Sequence, residues 1–282
     1  MTHNPDQKSP NDEVRFRHES NRANWNESAL AYTNDITATV DFIRAGKSNL
    51  APVERANLGD LRAWCRHAIH LQCASGKDTL SLLNEGVEHV TGVDISDVHI
   101  ANARKICAAL TLQGYPLQAE WVRCDVLDTP DFLDGSADLV YTGRGALGWL
   151  HDLDAHARVV ARLLKVGGVY HVYDDHPITI LFDLEPEIYS FRGASYFGHW
   201  EKDTGWPCNY VRNTLGSSVK NPPPRFEKGW SLMEIINALI NAGLAIEFLG
   251  EYPEAEWNMF PNLKPELRGL IPLMFSIKAR KL

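Results

Sequence analysis

The order of apolar and polar positions divides the chain into three regimes. From Glu19 to Arg44 the sequence reads as helical, with Trp25, Leu30, Ile36, Val40 and Ile43 available for burial. After a connector, Asn49 to Gly59 with Pro52 inside it, short apolar runs alternate with helical patterns. The predicted order is strand Ala68–Leu71, helix Lys77–Glu85, strand His89–Asp94, helix Asp97–Leu110 and strand Gln118–Arg123. A short loop-helix around Thr129–Leu133 comes next, then strand Ala137–Thr142, helix Asp152–Lys165 and strand Val169–Tyr173. Alternation of this kind predicts a parallel sheet with helices on both faces. Local signals support the helices. Ser75-Gly76-Lys77-Asp78 fits a capping box, and Ser96 can cap the helix after it. Leu153, Ala157, Val160 and Leu164 recur at four-three-four spacing, and Gly167-Gly168 is expected to end that helix.

The third regime, Pro177 to Gly229, has no clear period. It is rich in aromatics (Phe182, Tyr189, Phe191, Tyr196, Phe197, Trp200, Trp206, Tyr210) and contains Pro222-Pro223-Pro224. So long a stretch inside a compact domain points to a functional insertion. The aromatics suit either a cover that walls an apolar substrate pocket or an oligomer interface. Alternation then resumes with helix Leu232–Ala242, strand Leu244–Leu249 and a final strand within Leu270–Ala279. The expected organisation is a disordered tail over 1–18, an N-terminal helical lid over 19–60, and an α/β domain over 61–282 carrying a cap at 177–229.

Bulk properties narrow the setting. At 282 residues the chain can bury a sizeable core, and no apolar run approaches the ~20 residues of a membrane span. The polar start, Met1 to Glu13, does not read as a secretory signal. Five cysteines with no C-x-x-C spacing argue against disulfide or zinc frameworks and for a reducing cytoplasm, with no metal expected. A net charge of −8 disfavours a nucleic-acid partner.

The densest chemical signal is His70-Leu71-Gln72-Cys73-Ala74-Ser75-Gly76 followed by Val90-Thr91-Gly92-Val93-Asp94. An apolar strand runs into a small-residue turn, the turn opens a helix, and a second strand ends on a carboxylate. This is the unit with which α/β proteins hold an adenosine-containing cofactor. The small turn lets the backbone approach the ligand, and the helix start presents free N–H groups. Asp94 can accept hydrogen bonds from both ribose hydroxyls.

Gly76, Asp94, the segment Cys124-Asp125-Val126 and the run Leu163-Leu164-Lys165-Val166-Gly167-Gly168 together make the chain resemble the class I S-adenosylmethionine-dependent methyltransferases. A Leu-Gln-Cys first turn, Tyr141-Thr142-Gly143 and His176-Pro177 are similar to a bacterial subgroup of that family. The resemblance departs where the family has an acid and two glycines; here stand His70, Gln72 and Ala74. It implies a Rossmann-like, seven-stranded, mostly parallel sheet with an N-terminal helical lid and an inserted cap, and it implies S-adenosylmethionine as cofactor. The backbone of Leu71, Gln72, Cys73 and Gly76 would approach the methionyl portion. Asp94 would take the ribose and Ile95 would pack on the adenine. Asp125 would accept from the adenine amino group with Val126 beside it. Tyr141 and Thr142 end the fourth strand at the ligand edge.

Trp25 and Tyr32, seven residues apart, are either lid aromatics near the sulfonium or two core anchors of an amphipathic helix. Arg144 is a solvated charge or a partner for an acidic substrate, and Trp149, Tyr196 and Trp200 are candidates for the substrate wall. His176, Asp174 and His151 are candidate proton acceptors, although many methyltransferases need only proximity and orientation. The expected activity is methylation of a small, aromatic or apolar, natural-product-like acceptor. The alternatives are a protein of this fold with lost or added chemistry, and an NAD(P)-dependent oxidoreductase. The latter would ask for a Gly-x-Gly-x-x-Gly turn that Gln72 to Lys77 does not provide. A homo-oligomer is compatible with the aromatic insertion.

Overall fold

The computed structural model describes residues 10–204 and 223–282; Trp206 and Tyr210 of the aromatic insertion lie outside the described residues. Two helices, α1 (Pro10–Tyr32) and α2 (Ile36–Arg44), precede a short α3 (Pro52–Leu58). The alternating core follows as β1 (His67–Leu71), α4 (Lys77–Asn84), β2 (His89–Asp94), α5 (Asp97–Leu112), β3 (Ala119–Arg123), β4 (Ala137–Gly143), α6 (Leu153–Leu163) and β5 (Leu164–Asp175). The insertion holds two small antiparallel pairs, β6 (Phe182–Asp183) with β7 (Ser190–Phe191), and β8 (His199–Thr204) with β9 (Pro224–Gly229). Helix α7 (Leu232–Asn241), β10 (Leu244–Tyr252) and β11 (Met274–Lys281) complete the chain.

The main sheet has seven strands in the order β3-β2-β1-β4-β5-β11-β10. Strand β11 runs antiparallel to both neighbours, and the other described pairings within the sheet are parallel. Strands such as Ala68-Ile69-His70-Leu71 are buried on both faces, as a sheet covered by helices requires. On one face Ile69, Val140, Tyr170 and Phe275 pack with Ala157 and Val160 of α6 and Ile235 and Leu239 of α7. On the other, Val40 and Ile43 of α2 pack with Leu80 of α4 and Ile106 and Leu110 of α5.

Several local expectations change. Helix α1 begins at Pro10, inside the segment expected as tail, because Arg15, His18 and Arg22 find carboxylate partners in Asp128 and Asp125 after β3 and Asp97 on α5. The connector contains α3, with Pro52 in its first turn and Glu54 closing back onto the Ala51 N–H. The capping box expected at Ser75 is absent: Gly76 is the N-cap, and the Ser75 hydroxyl turns instead to His99 Nδ1 at 2.8 Å. Ser231 with Glu234 forms a capping box on α7. Ser96 does cap α5, accepting from the His99 N–H. Helix α6 stops at Leu163 rather than at Gly167-Gly168, and those glycines fall inside β5 where its register against β4 jumps. The insertion divides between two supports. Phe182 packs with Met259, Phe260 and Leu263 of the β10–β11 connection, whereas β9 lies along α1. Among the described residues no helix is long and apolar enough to cross a membrane.

Candidate functional site

The carboxyl ends of β1 to β4 border one cavity of about 650 Å³, roofed by α1 and α2. Its wall follows the sheet order: Asp125 and Val126 after β3, Asp94 and Ile95 at β2, Gln72 to Gly76 after β1, and Gly143 to Ala146 at β4. A parallel sheet leaves its strand ends and following turns free to meet a ligand there.

The first turn keeps its expected shape without its usual glycines. Gln72 and Ala74 adopt φ values of +59° and +46°, a left-handed conformation that costs an L-residue roughly 1–2 kcal/mol each. That conformation aims the Ala74 N–H at Asp94 Oδ2, 2.8 Å away. Gly76 has φ +83°, and a Cβ there would stand 2.2 Å from the Trp121 ring, so only glycine fits. His70 is buried, donating to or accepting from Thr79 Oγ1 at 2.8 Å, and burial pushes its pKa down to about 4. It is therefore neutral near pH 7 and does not replace the acid the resemblance places there.

Asp94 is buried, and its two oxygens accept the N–H groups of Ala74 and Ser96, each at 2.8 Å. Burial pushes its carboxyl up, while His99 and these two N–H groups oppose the rise. Each oxygen keeps a second lone pair for a ligand hydroxyl. Asp125 accepts from Leu127 N at 3.0 Å and bonds His18 Nδ1 at 2.7 Å. Burial raises its pKa, but the hydrogen bonds from His18 and Leu127 N, with the nearby Arg15 charge, outweigh that and leave it lowered. His18 Nε2 in turn accepts from His151 N, which fixes the Asp125-facing nitrogen as the donor.

Arg144 is not available to a substrate acid. Its guanidinium bonds Glu54 at 2.6 Å, Glu256 at 2.7 Å and the Asn49 carbonyl at 2.6 Å, with Asp78 at 3.4 Å. Glu54 is fully buried and also accepts from Tyr141 Oη and Ala51 N. Burial pushes its carboxyl up, while the Arg144 charge, the Tyr141 hydroxyl and the Ala51 N–H oppose the rise without cancelling it.

Among the other sequence candidates, Trp25, Tyr32, Gln72, Cys73, Gly76, Ile95, Val126 and Trp149 reach the cavity wall. Trp25 meets Trp149 edge-on at 5.0 Å, and Tyr32 meets His99 at 5.1 Å. Leu71, Tyr141 and Thr142 are buried behind the wall. The three candidate bases sit away from the lining. Asp174 accepts the N–H groups of Gly145 and Leu147 and so anchors the loop after β4. His176 caps Ile178 N through Nδ1 and meets Glu251 through Nε2 at 2.7 Å. His151 is stacked against Trp200 at 5.1 Å and bonds the Phe226 carbonyl, with its pKa pushed down to about 3, chiefly by burial. Tyr196 accepts from Leu232 N outside the cavity lining, and Trp200 is half-buried, with Arg17 over its ring.

His18, Glu54, Asp78, His99 and Asp175 were not singled out by sequence reasoning. His18 belongs to a stripe, Arg15, His18 and Arg22, that meets Asp128, Asp125 and Asp97 in turn. Its three-four spacing on one helix face was the available signal. Asp175 is partly buried at the end of β5, bonded by Trp257 Nε1 at 3.3 Å, and burial together with the Asp174 charge pushes its carboxyl up to about 7.

This sheet order, with one antiparallel strand between β5 and β10 and carboxylates at the ends of β2 and β3, defines the class I S-adenosylmethionine-dependent methyltransferase fold. A six-stranded dinucleotide-binding sheet lacks that inserted strand. Residues 68–168 match the family model of a methyltransferase domain. An S-adenosylmethionine-dependent methyltransferase from Mesorhizobium loti is 24% identical, with TM-score 0.54 over 82% of this chain and 96% of that one. The glycopeptide N-methyltransferase MtfA, complexed with sinefungin, is 14% identical, with TM-score 0.53 over 81% and 85%. Geranyl diphosphate C-methyltransferase from Streptomyces coelicolor A3(2), in complex with S-adenosylhomocysteine, is 15% identical, with TM-score 0.52 over 82% and 76%. At these identities the likeness is one of fold. No curated protein matches the chain in sequence.

The residues present fit S-adenosylmethionine, the cofactor this fold implies. Two buried polar atoms of the cavity wall, Gln72 Oε1 and His99 Nε2, have no hydrogen-bond partner within the protein. Buried polar atoms are rarely left so, and a wall built against a polar ligand explains both. Asp94 and Asp125 retain acceptor capacity for ribose and adenine, and Trp25 and Trp149 supply aromatic surface suited to a sulfonium.

Proposed function

We propose that this chain transfers the methyl group of S-adenosylmethionine to a small molecule with an apolar or aromatic body, of the natural-product kind, in a cytoplasmic setting. The observation that carries this reading is the single cavity joining Asp94 and Asp125 to the aromatic edge of Trp25 and Trp149. Its volume of about 650 Å³ lies within the range of small-molecule sites. The geranyl diphosphate C-methyltransferase and the glycopeptide N-methyltransferase share the fold and act on compounds of that general class.

The cofactor supplies the reactive methyl as a sulfonium. The protein's part is position and exclusion of water. Asp94 and Asp125 hold the nucleoside end in register with the sheet. Helix α1, tied down through His18 and Arg22, closes the roof. Asp174 fixes the loop after β4 by its backbone amides, so Ala146 and Trp149 present a rigid edge to the acceptor. With His176, Asp174 and His151 engaged elsewhere, orientation rather than a dedicated base carries the rate. Calorimetric titration of the full chain with S-adenosylmethionine, S-adenosylhomocysteine and NAD(P) tests the reading. Micromolar binding of both sulfur compounds is expected. Binding of NAD(P) without either of them would refute it.

A further inference from the structure

We propose that the face where α1 meets the β8–β9 hairpin is a second ligand site, which binds the phosphate of a small aromatic phosphate monoester at Arg17 and Lys228 beside Trp200. The site lies outside the lining of the nucleoside cavity and goes beyond the methyl-transfer reading.

Strand register builds this face. Successive side chains of a strand point to opposite sides, and β8 pairs with β9 as Trp200 with Lys228 and Lys202 with Phe226. Those four side chains therefore share one side of the hairpin. It is the side toward α1, where Phe16 meets Phe226 edge-on at 5.9 Å. Glu201, Asp203, Arg225 and Glu227 take the other side and find partners there: Glu201 meets Arg192 and His199, while Asp203 and Glu227 meet Arg225. The hairpin thus sends its acids one way and its lysines and aromatics the other.

The result is a positive excess on the α1 side. Arg17 Cζ stands 4.3 Å and Lys228 Nζ 4.8 Å from the Trp200 ring centre, and the exposed Lys202 lies at the margin, 5.8 Å from the Phe226 ring. Arg17 gives only its Nε to a carboxylate, Glu13 at 2.9 Å. Lys202 and Lys228 have no carboxylate partner among the described residues. Residues 205–222, which join the two strands, contain no Asp or Glu to complete the balance. Burial lowers the Lys228 pKa and the Arg17 charge adds to this, while Glu234, whose carboxylate is bonded by Ser231, opposes. Three cations gathered this way in a chain of net charge −8 suit an anion from outside.

Charge and shape select its class. A phosphate monoester carries roughly −1.5 to −2 charges at pH 7 and three acceptor oxygens, which a guanidinium and an ammonium can share. Trp200 is 44% exposed and backed by the neutral His151 ring at 5.1 Å, so it offers aromatic surface to the ester's organic part. Arg17 belongs to the helix that roofs the cavity and Lys228 to the insertion, so one ligand ties the two together.

Calorimetry on the full chain saturated with S-adenosylhomocysteine tests the site with benzyl phosphate, phenylacetate and benzylamine. Benzyl phosphate should bind, more tightly than phenylacetate, and weaken as sodium chloride rises from 50 to 500 mM, on the order of the screening expected at a partly exposed site. Benzylamine should not bind. Arg17→Gln and Lys228→Gln should each weaken benzyl phosphate about fivefold or more, with S-adenosylhomocysteine affinity within about twofold of wild type as the check that both variants fold. No binding of benzyl phosphate, binding of benzylamine as tight as that of the phosphate, displacement of the phosphate by S-adenosylhomocysteine, or variants that bind it as wild type does would each overturn the assignment. A chain that fails to bind S-adenosylhomocysteine but binds benzyl phosphate with the same sensitivity to both substitutions would refute the methyltransferase reading and uphold this site.

Discussion

Replacing Glu54 by alanine tests the reading of the wall at its most buried point. The side chain is fully buried on α3 and accepts from Ala51 N at 2.7 Å, Tyr141 Oη at 2.6 Å and Arg144 Nη2 at 2.6 Å. Alanine leaves the Ala51 N–H and the Tyr141 hydroxyl buried without acceptors, at about 1–3 kcal/mol each. Arg144 loses its most buried carboxylate but keeps Glu256 and, at 3.4 Å, Asp78, so the ionic loss falls below the ~3–5 kcal/mol of a fully broken buried pair. Together these give a destabilisation of about 4–6 kcal/mol. In urea, with a slope of about 3 kcal/mol/M, the midpoint should fall by roughly 1.5–2 M. A double-mutant cycle sharpens the test. Tyr141→Phe removes the orphaned hydroxyl, so Glu54→Ala with Tyr141→Phe should cost about 1–2 kcal/mol less than the sum of the singles. Because the network also holds Asn49 and Arg144 on the cavity wall, affinity for S-adenosylhomocysteine should fall in parallel. A Glu54→Ala protein within about 1 kcal/mol of wild type, with an additive cycle, would refute the account of Glu54 as the buried tie between α3, β4 and the site.

Other perturbations follow from single contacts. Gly76→Ala drives a Cβ to 2.2 Å from Trp121 at φ +83°, so it should cost about 2–4 kcal/mol and shift tryptophan emission; a neutral substitution would show that the turn moves freely. Asp175 has a carboxyl raised to about 7 by burial and the neighbouring Asp174 charge, with Glu227 adding to it and Trp257 opposing. The folded state therefore holds that proton where the unfolded chain has lost it, and this contribution fades as pH rises from about 4 to 7. Asp175→Asn should gain thermal stability relative to wild type between pH 5 and pH 8, and a pH-independent difference between the two melting curves would contradict this. On the lid, Arg15→Ala breaks an exposed pair with Asp128 and should change stability by less than ~1 kcal/mol, vanishing in high salt. His18→Ala removes a buried bridge between Asp125 and the His151 N–H, so about 2–3 kcal/mol and a weaker hold on S-adenosylhomocysteine are expected. Equal, small losses at both positions, read by thermal melting in low and high salt, would mean that α1 is not docked through His18.

Much of the scaffold was legible because it is local. Period-two and period-3.6 patterning follows from which face each element buries, so the order of strands and helices from Ala68 to Tyr173 could be read directly. Asp94 and Asp125 were legible for the same reason: a carboxylate at or just beyond the carboxyl end of a parallel strand emerges at the sheet's ligand edge. Where an apolar run says little about its ends, boundaries drifted. Helix α6 gave way to β5 at Leu164, ahead of the glycines, because pairing of Leu164 with Ala137 outweighs the local stop signal. Helix α3 was hidden because a helix this short has too few turns to show a period.

What the sequence determined alone was the chemistry on offer at the sheet edge: an adenosine-type unit, its two acids, and a turn short of glycine. Tertiary structure decided which side chains that edge uses. Arg144 and Asp174 looked like substrate or proton partners, yet one is surrounded by Glu54, Asp78 and Glu256 and the other is spent on backbone amides. Gln72 looked like a lost glycine, yet it keeps the glycine's backbone conformation and donates its side-chain amide to the Ala146 carbonyl. The physical reason is distance along the chain. A residue's backbone preference is set by its neighbours in sequence, but whether its polar atoms are satisfied depends on partners such as Ala146, 74 positions away, that only the packed sheet brings within 2.8 Å.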